Sequence, residues 1–231
     1  MKKFLAILVV AFGFLLGAQT MLAQKPMKAL LINGSPHANG NTALALKEIE
    51  KVFTDNGIEV ETIQVGSKDI RGCIGCGKCS REGKCVFDDL VNEVAPKFEE
   101  ADCLILGSPV YYASPNGTLI SFLDRLFYST SFDKRMKVGA AVVVARRGGT
   151  TASFDVLNKY FMISGMPVVS GQYWNILHGG SQGEVVQDEE GMQNMRTLAN
   201  NAVFLMKSIA LGKKEFGLPE KEPTKWTNFI R

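Results

Sequence analysis

Several absences narrow this chain before any motif is read. Its 26 Lys and Arg are nowhere gathered into a basic stripe, and the formal net charge is only +3, with Lys2 and Lys3 contributing to it. Nucleic acid is thereby excluded as the expected partner. Beyond residue 23 no apolar run approaches the roughly 20 residues that a bilayer span needs. The nucleoside-triphosphate loop G-x-x-x-x-G-K-[ST] is missing: five residues separate Gly34 from Gly40, and Asn41 stands where the lysine would. The dinucleotide fingerprint G-x-G-x-x-G is missing as well. No catalytic triad is displayed, and there are no internal repeats or low-complexity tracts.

What is present begins with a leader, MKKFLAILVVAFGFLLGAQTMLAQ. Two lysines precede an apolar run from Phe4 to Leu16, and Met21-Leu22-Ala23 offers a small residue at a cut point. Residues 1–23 read as a signal peptide or N-terminal hydrophobic leader, although the site is not a clean Ala-x-Ala. No cysteine follows the run to accept a lipid. The expected location is periplasmic or secreted if the leader is a signal, and cytoplasmic if translation starts at Met27. Membrane attachment follows only if the leader is retained.

The remainder, 24–231, is long and apolar enough to bury one core, so a single domain is expected. Short apolar strands alternate with helix-spaced segments. KALLINGSP, IEVETIQV, DCLILGSPV, KVGAAVVVA and MPVVSG each carry one of five strands, the first and third running on into a loop. Helices are expected at Asn41–Asn56, after a cap at Asp88 or Asp89, at Pro115–Tyr128, at Ser153–Ser164 and at Gly191–Leu211. Trp174–Glu190 is expected to be a long loop. This alternation predicts a flavodoxin-like, doubly wound five-stranded parallel sheet in a three-layer α/β/α arrangement, with ligands at the carboxyl ends of its central strands.

Three loops then fall on one edge of that sheet. NGSPHANGNT (33–42) is packed with small polar residues ahead of a helix, so its backbone N–H groups and the helix's positive end can receive a phosphate. Ser35, Asn39, Asn41 and Thr42 add side-chain donors. GSPVYYASPNGT (107–118) sets Tyr111 and Tyr112 between prolines, an arrangement that can wall a flat ring. ARRGGTT (145–151) supplies charge from Arg146 and close backbone approach at Gly148 and Gly149. Together the loops describe a site for a mononucleotide with a planar ring.

Four of the five cysteines, Cys73, Cys76, Cys79 and Cys85, lie in a loop at 72–86 with spacing C-x2-C-x2-C-x5-C. Three thiolates at such intervals can wrap a cubane cluster with the fourth closing from farther along. A four-thiolate zinc site, two disulfides in an oxidising compartment, or a loop that holds nothing are the alternatives. Cys103 reads as a small buried hydrophobe.

From Met27 to about Leu211 the chain resembles the NAD(P)H-dependent FMN reductases of the flavodoxin-like fold, and most of all their iron-sulfur flavoprotein branch. The resemblance rests on GSPHANGNT, on GSPVYYASPNG followed by SFLDR, on RRGG, on DEEG and on the terminal TNFIR. It implies that Ser35, His37, Asn39, Gly40, Asn41 and Thr42 hold the FMN phosphate, His37 through its backbone. It implies that Pro109, Val110, Tyr111, Tyr112 and Ser114 flank the ring, with Gly148 and Gly149 near its pyrimidine side. It further implies a [4Fe-4S] cluster on the four cysteines, NAD(P)H as co-substrate, and a small-molecule or protein electron acceptor. A homodimer or homotetramer is implied too, and SFLDRLFY reads as a subunit-contact helix. The rival is a non-enzymatic electron carrier serving a protein partner.

Overall fold

The computed structural model describes residues 25–230. The leader expected at 1–23 lies outside them. Five parallel strands form the sheet: β1 (Lys28–Asn33), β2 (Glu59–Gln64), β3 (Cys103–Tyr111), β4 (Val138–Ala145) and β5 (Ile176–His178). Their order is β2-β1-β3-β4-β5. This is the doubly wound order that reverses direction between β1 and β3, leaving a crevice above their carboxyl ends. A two-residue strand, Ser114–Pro115, folds back antiparallel on the end of β3.

Alternation along each strand assigns side chains to two cores. Ala29, Leu31, Cys103, Ile105, Ala140 and Val142 face the layer of α1 (Asn41–Asp55) and α6 (Glu189–Phe216). Leu30, Ile32, Leu104, Leu106, Ala141 and Val143 face the other layer. That layer consists of α3 (Leu90–Glu100), α4 (Gly117–Ser129) and α5 (Thr150–Ile163). A four-residue helix, α2 (Cys79–Glu82), lies in the cysteine loop. Among the described residues no helix is long and apolar enough to cross a membrane.

The helices start in two different ways. Asp89 caps α3 by accepting from the Val91 N–H, and Asn116 caps α4 by accepting from Thr118 and Leu119. Asp188 caps α6 through Gly191. By contrast α1 starts after Gly40 and α5 after Gly149, and neither has a side-chain cap. A side-chain cap stabilises a helix by about 1 kcal/mol. Apart from the four-residue α2, which also lacks one, two helices go without it, and both begin in loops at the carboxyl edge of the sheet.

The fifth strand departs from expectation. MPVVSG makes only an isolated bridge, Gly139 to Val168, and the regular strand comes later, at Ile176–His178. Between them the chain loops out around buried Asn194. Its Oδ1 accepts from the N–H groups of Gln172 and Tyr173, and its Nδ2 donates to the Trp174 carbonyl. Gly171 passes so close that a Cβ there would sit 2.0 Å from Asn194 Oδ1. The expected loop at Trp174–Glu190 therefore contains β5 and a 3-10 turn at Glu184–Gln187.

SFLDRLFY lies on α4. Phe122, Leu123, Arg125 and Leu126 are buried within their own chain, and Tyr128 is the exposed aromatic. Beyond α6, residues 217–230 have no regular structure and expose Trp226, Phe229 and Ile230.

Candidate functional site: a cleft over the central strands and a four-cysteine cavity

The first loop is set by side chains from the strands beneath it. Buried Asn33, the last residue of β1, accepts from the Ser35 N–H at 3.0 Å and donates to Gln64 Oε1 at 2.7 Å. Gln64 in turn donates to the Ser35 carbonyl. Gly66 lets the β2 exit run against this loop, where a Cβ would meet the Gly34 oxygen at 2.3 Å. The loop is thus rigid before it reaches the uncapped N-terminus of α1. Neither Asn33 nor Gln64 carried a sequence signal, because each acts through tertiary contact.

The second loop is a two-residue turn, Tyr112-Ala113, between the paired residues Tyr111 and Ser114. Both turn residues lie in the left-handed region, at φ 50° and 59°. Hairpin turns of this length favour glycine or asparagine there. Ser108, fully buried, accepts from the Asn116 N–H at 3.0 Å and so ties the loop's two ends. Gly149 of the third loop, at φ +88°, packs so closely that a Cβ would lie 2.7 Å from Ala113 Cα and 2.9 Å from Val110 Cγ1. The second and third loops support one another.

These loops line a common cleft of about 410 Å³, within the range of small-molecule sites. Ser35, His37, Gly40, Asn41 and Thr42 of the first loop line it, together with Pro109, Val110, Tyr111 and Arg146. Asn39, Tyr112, Ser114, Gly148 and Gly149 are not part of this lining. Tyr112 is fully exposed at the turn's tip, and Gly149 acts from behind through Ala113.

A fourth element, absent from the sequence reading, closes the cleft: Gly179, Gly180 and Gln182, in the loop after β5. Asn41 holds this loop. Its Nδ2 donates to the Ser181 carbonyl at 2.8 Å, and its Oδ1 accepts from the Val185 N–H at 3.3 Å. The Asn41 side chain is therefore a tether between loops, and only its backbone N–H remains with the helix end. Glu184 accepts from the Ser181 and Gly180 N–H groups. Those two bonds, with a smaller contribution from Arg146, hold its carboxyl below the usual carboxylate range.

Cys73, Cys76, Cys79 and Cys85 line a second cavity with Phe87, Arg125 and Tyr128. All are free thiols, so no disulfide joins them in this structure. Among the described residues no three Cys, His, Asp or Glu side chains are near enough to hold a metal ion together. The donor set nevertheless fits an iron-sulfur cluster in its chemistry: four cysteines line one cavity. Gly75 and Gly77, both at positive φ, turn the backbone sharply between the first three cysteines. Cys85 is held differently. Its N–H donates to Asn92 Oδ1, and Asn92 Nδ2 donates back to its carbonyl.

Cys103 lies away from both sites, wholly buried in β3. Burial, with the nearby Asp102 charge adding to it, pushes its thiol pKa far upward.

A parallel sheet in this order, with small-residue loops converging above its reversal point, is the architecture of flavodoxin-like mononucleotide-binding proteins. Residues 27–180 match the family of NADPH-dependent FMN reductases, and the chain belongs to that family of flavoprotein oxidoreductases. Its relatives place it in the iron-sulfur flavoprotein branch. An iron-sulfur flavoprotein of Methanocaldococcus jannaschii is 36% identical over 191 residues, covering 79% of this chain and 99% of the relative. One from Methanosarcina thermophila is 29% identical, covering 79% and 97%. Among solved structures, an NAD(P)H:quinone oxidoreductase from Methanothermobacter marburgensis has a TM-score of 0.59 at 16% identity, covering 76% of this chain and 96% of that one. An archaeal flavodoxin has a TM-score of 0.54 at 15% identity, covering 78% and 99%. Identities this low speak to the fold alone.

Proposed function

We propose that this chain is an NAD(P)H oxidoreductase that holds FMN in the cleft, carries a [4Fe-4S] cluster on its cysteine loop, and passes electrons to a separate acceptor. The observation that carries the reading is the open N-terminus of α1. Gly40 provides no side-chain oxygen, and the first turn contains no acidic residue. The helix's positive end and its unpaired N–H groups therefore face the cleft, where a phosphate would complete them.

In this reading Ser35, His37, Asn39, Gly40, Asn41 and Thr42 form the phosphate cradle, mostly through backbone N–H groups. Pro109, Val110, Tyr111, Tyr112 and Ser114 wall the ring, while Gly148 and Gly149 bring backbone toward its pyrimidine edge. Arg146 supplies positive charge at the cleft's far side. The bound FMN would supply a ring that accepts a hydride from NADH or NADPH and releases electrons singly or in pairs. The chain's own work is to fix that ring's position and electrostatics. Cys73, Cys76, Cys79 and Cys85 would hold the cluster, whose contribution is one-electron transfer. The exposed tail with Trp226, Phe229 and Ile230 is the apolar surface that a second subunit would cover in a homodimer or homotetramer.

The test is anaerobic purification of the protein with FMN, iron and sulfide measured per chain, followed by NADH and NADPH oxidation with quinone and ferredoxin-type acceptors. Near-stoichiometric FMN with about four irons and nicotinamide-dependent turnover is the expected result. FMN with iron but no turnover with either nucleotide would sink the enzyme reading and favour an electron carrier. Absence of FMN after reconstitution would end the proposal.

A further inference from the structure

The most unusual charged group lies beneath the cysteines. Among the described residues, Arg125 on α4 is the largest side chain to be wholly buried, at 1% exposure. Its Nη1 donates to Asp89 Oδ2 and its Nη2 to Asp89 Oδ1, both at 2.8 Å, a fork-to-fork pair. Nη1 also reaches the Arg71 carbonyl at 3.2 Å, and the ring of Phe87 lies 5.0 Å from the guanidinium carbon. Its Nε–H points to Cys85 Sγ at 3.2 Å. A buried arginine is costly unless its partners are in place. Here they are the N-cap of α3, the chain entering the cysteine loop, and one of the four sulfurs.

We propose that Arg125 is a positioning residue for the iron-sulfur centre, fixing Cys85 through the Nε–H···Sγ hydrogen bond and raising the potential at which that centre accepts an electron. This rests on the cluster assignment made above. The pair with Asp89 is neutral overall, so its long-range field largely cancels. What remains at the sulfur is a short, directed N–H dipole in a buried setting. Hydrogen bonds to ligand sulfurs are among the determinants of cluster potential, because they withdraw charge from the sulfur and favour the more negative, reduced form. The couple is one electron, with no bond made or broken and no proton moved.

Two substitutions separate tuning from scaffolding. Arg125→Lys keeps the charge beside Asp89 but has no Nε–H on the sulfur. Asp89→Asn keeps that donor and the helix cap, but removes the neutralising carboxylate. Cluster midpoint potentials of the anaerobic full-length proteins are measured by titration with dithionite, monitored by the electron spin resonance signal of the reduced cluster. The expected result is a shift in opposite directions. Arg125→Lys should become harder to reduce by about tenfold in the oxidised-to-reduced ratio, which is about 59 mV for a one-electron couple, and Asp89→Asn should become easier. Unchanged potentials, or shifts in the same direction, would overturn the proposal and leave Arg125 a structural residue. If Arg125→Lys does not retain iron, Asp89→Asn decides alone: a raised potential supports the tuning role, and an unaltered one refutes it. A wild-type protein with FMN but no iron refutes both the cluster assignment and this inference, whereas iron-loaded proteins with equal potentials refute only the latter.

Discussion

Asn41 donates its side-chain amide to the carbonyl of Ser181 at 2.8 Å, joining the start of the first helix to a loop 140 positions later in the chain. The same side chain accepts from Val185, so one residue holds the Gly179–Gln182 wall over the cleft. Replacing it with alanine removes two hydrogen bonds but leaves the backbone N–H at the helix end. With about 1 kcal/mol for the net loss, Asn41→Ala should bind FMN roughly fivefold to tenfold more weakly. Quenching of flavin fluorescence during titration of apoprotein measures this directly. Unaltered affinity would mean the fourth wall does not contribute to holding the cofactor.

The turn at Tyr112-Ala113 stores backbone strain, since both residues sit in the left-handed region without being glycine or asparagine. The left-handed conformation costs an ordinary residue about 1–2 kcal/mol. Glycine at 113 would relieve it, less about 0.4–1 kcal/mol for greater freedom of the unfolded chain. Ala113→Gly should therefore stabilise the apoprotein by about 0.5–1 kcal/mol, raising Tm by about 2 °C for a domain of this size. Calorimetry of the cofactor-free protein checks it. A lower Tm would show that the Ala113 methyl, packed against Gly149, outweighs the strain.

The opposite change on the facing loop should be damaging. At Gly149 an alanine would need φ +88° and would place its Cβ 2.7 Å from Ala113 Cα. Incompatible backbone and overpacking together should cost about 2–3 kcal/mol. Since the displaced element is the turn proposed to wall the ring, Gly149→Ala should also bind FMN more weakly. Denaturant unfolding and flavin titration test the two effects separately.

Cys103 provides a pH signature. Its folded pKa is raised, so below the unfolded value of about 8.5 the thiol is protonated in both states and no stability is lost. Above that, the unfolded chain ionises while the buried thiol does not, and stability falls by about 1.4 kcal/mol per pH unit. Cys103→Ala should abolish that contribution, so its stability should decline less steeply between about pH 8.5 and 10. Urea unfolding at several pH values measures the difference in slope, with other alkaline groups common to both proteins. Parallel slopes would show that Cys103 is not isolated from solvent. A thiol-reactive dye should likewise label this cysteine only after unfolding.

The sheet and three of the four cleft walls were legible in the sequence because each combines a contiguous apolar strand with a run of small polar residues just after it. What escaped shares a different cause. MPVVSG has the composition of a strand, but Asn194, on a helix more than twenty positions later, pulls the following loop out and hands most of the pairing to Ile176–His178. Arg125 reads as an ordinary helix arginine until Asp89 and Cys85 are brought to it.

The missing cap on α1 has a consequence for the life of the protein outside any catalytic cycle. A helix that leaves its first turn unfinished is completed only when an anion arrives, so occupancy and folding are linked by mass action. With FMN at a hundred times its dissociation constant, the folded state gains about 2.7 kcal/mol. Chains made during flavin shortage would lack that protection and be removed sooner by proteolysis.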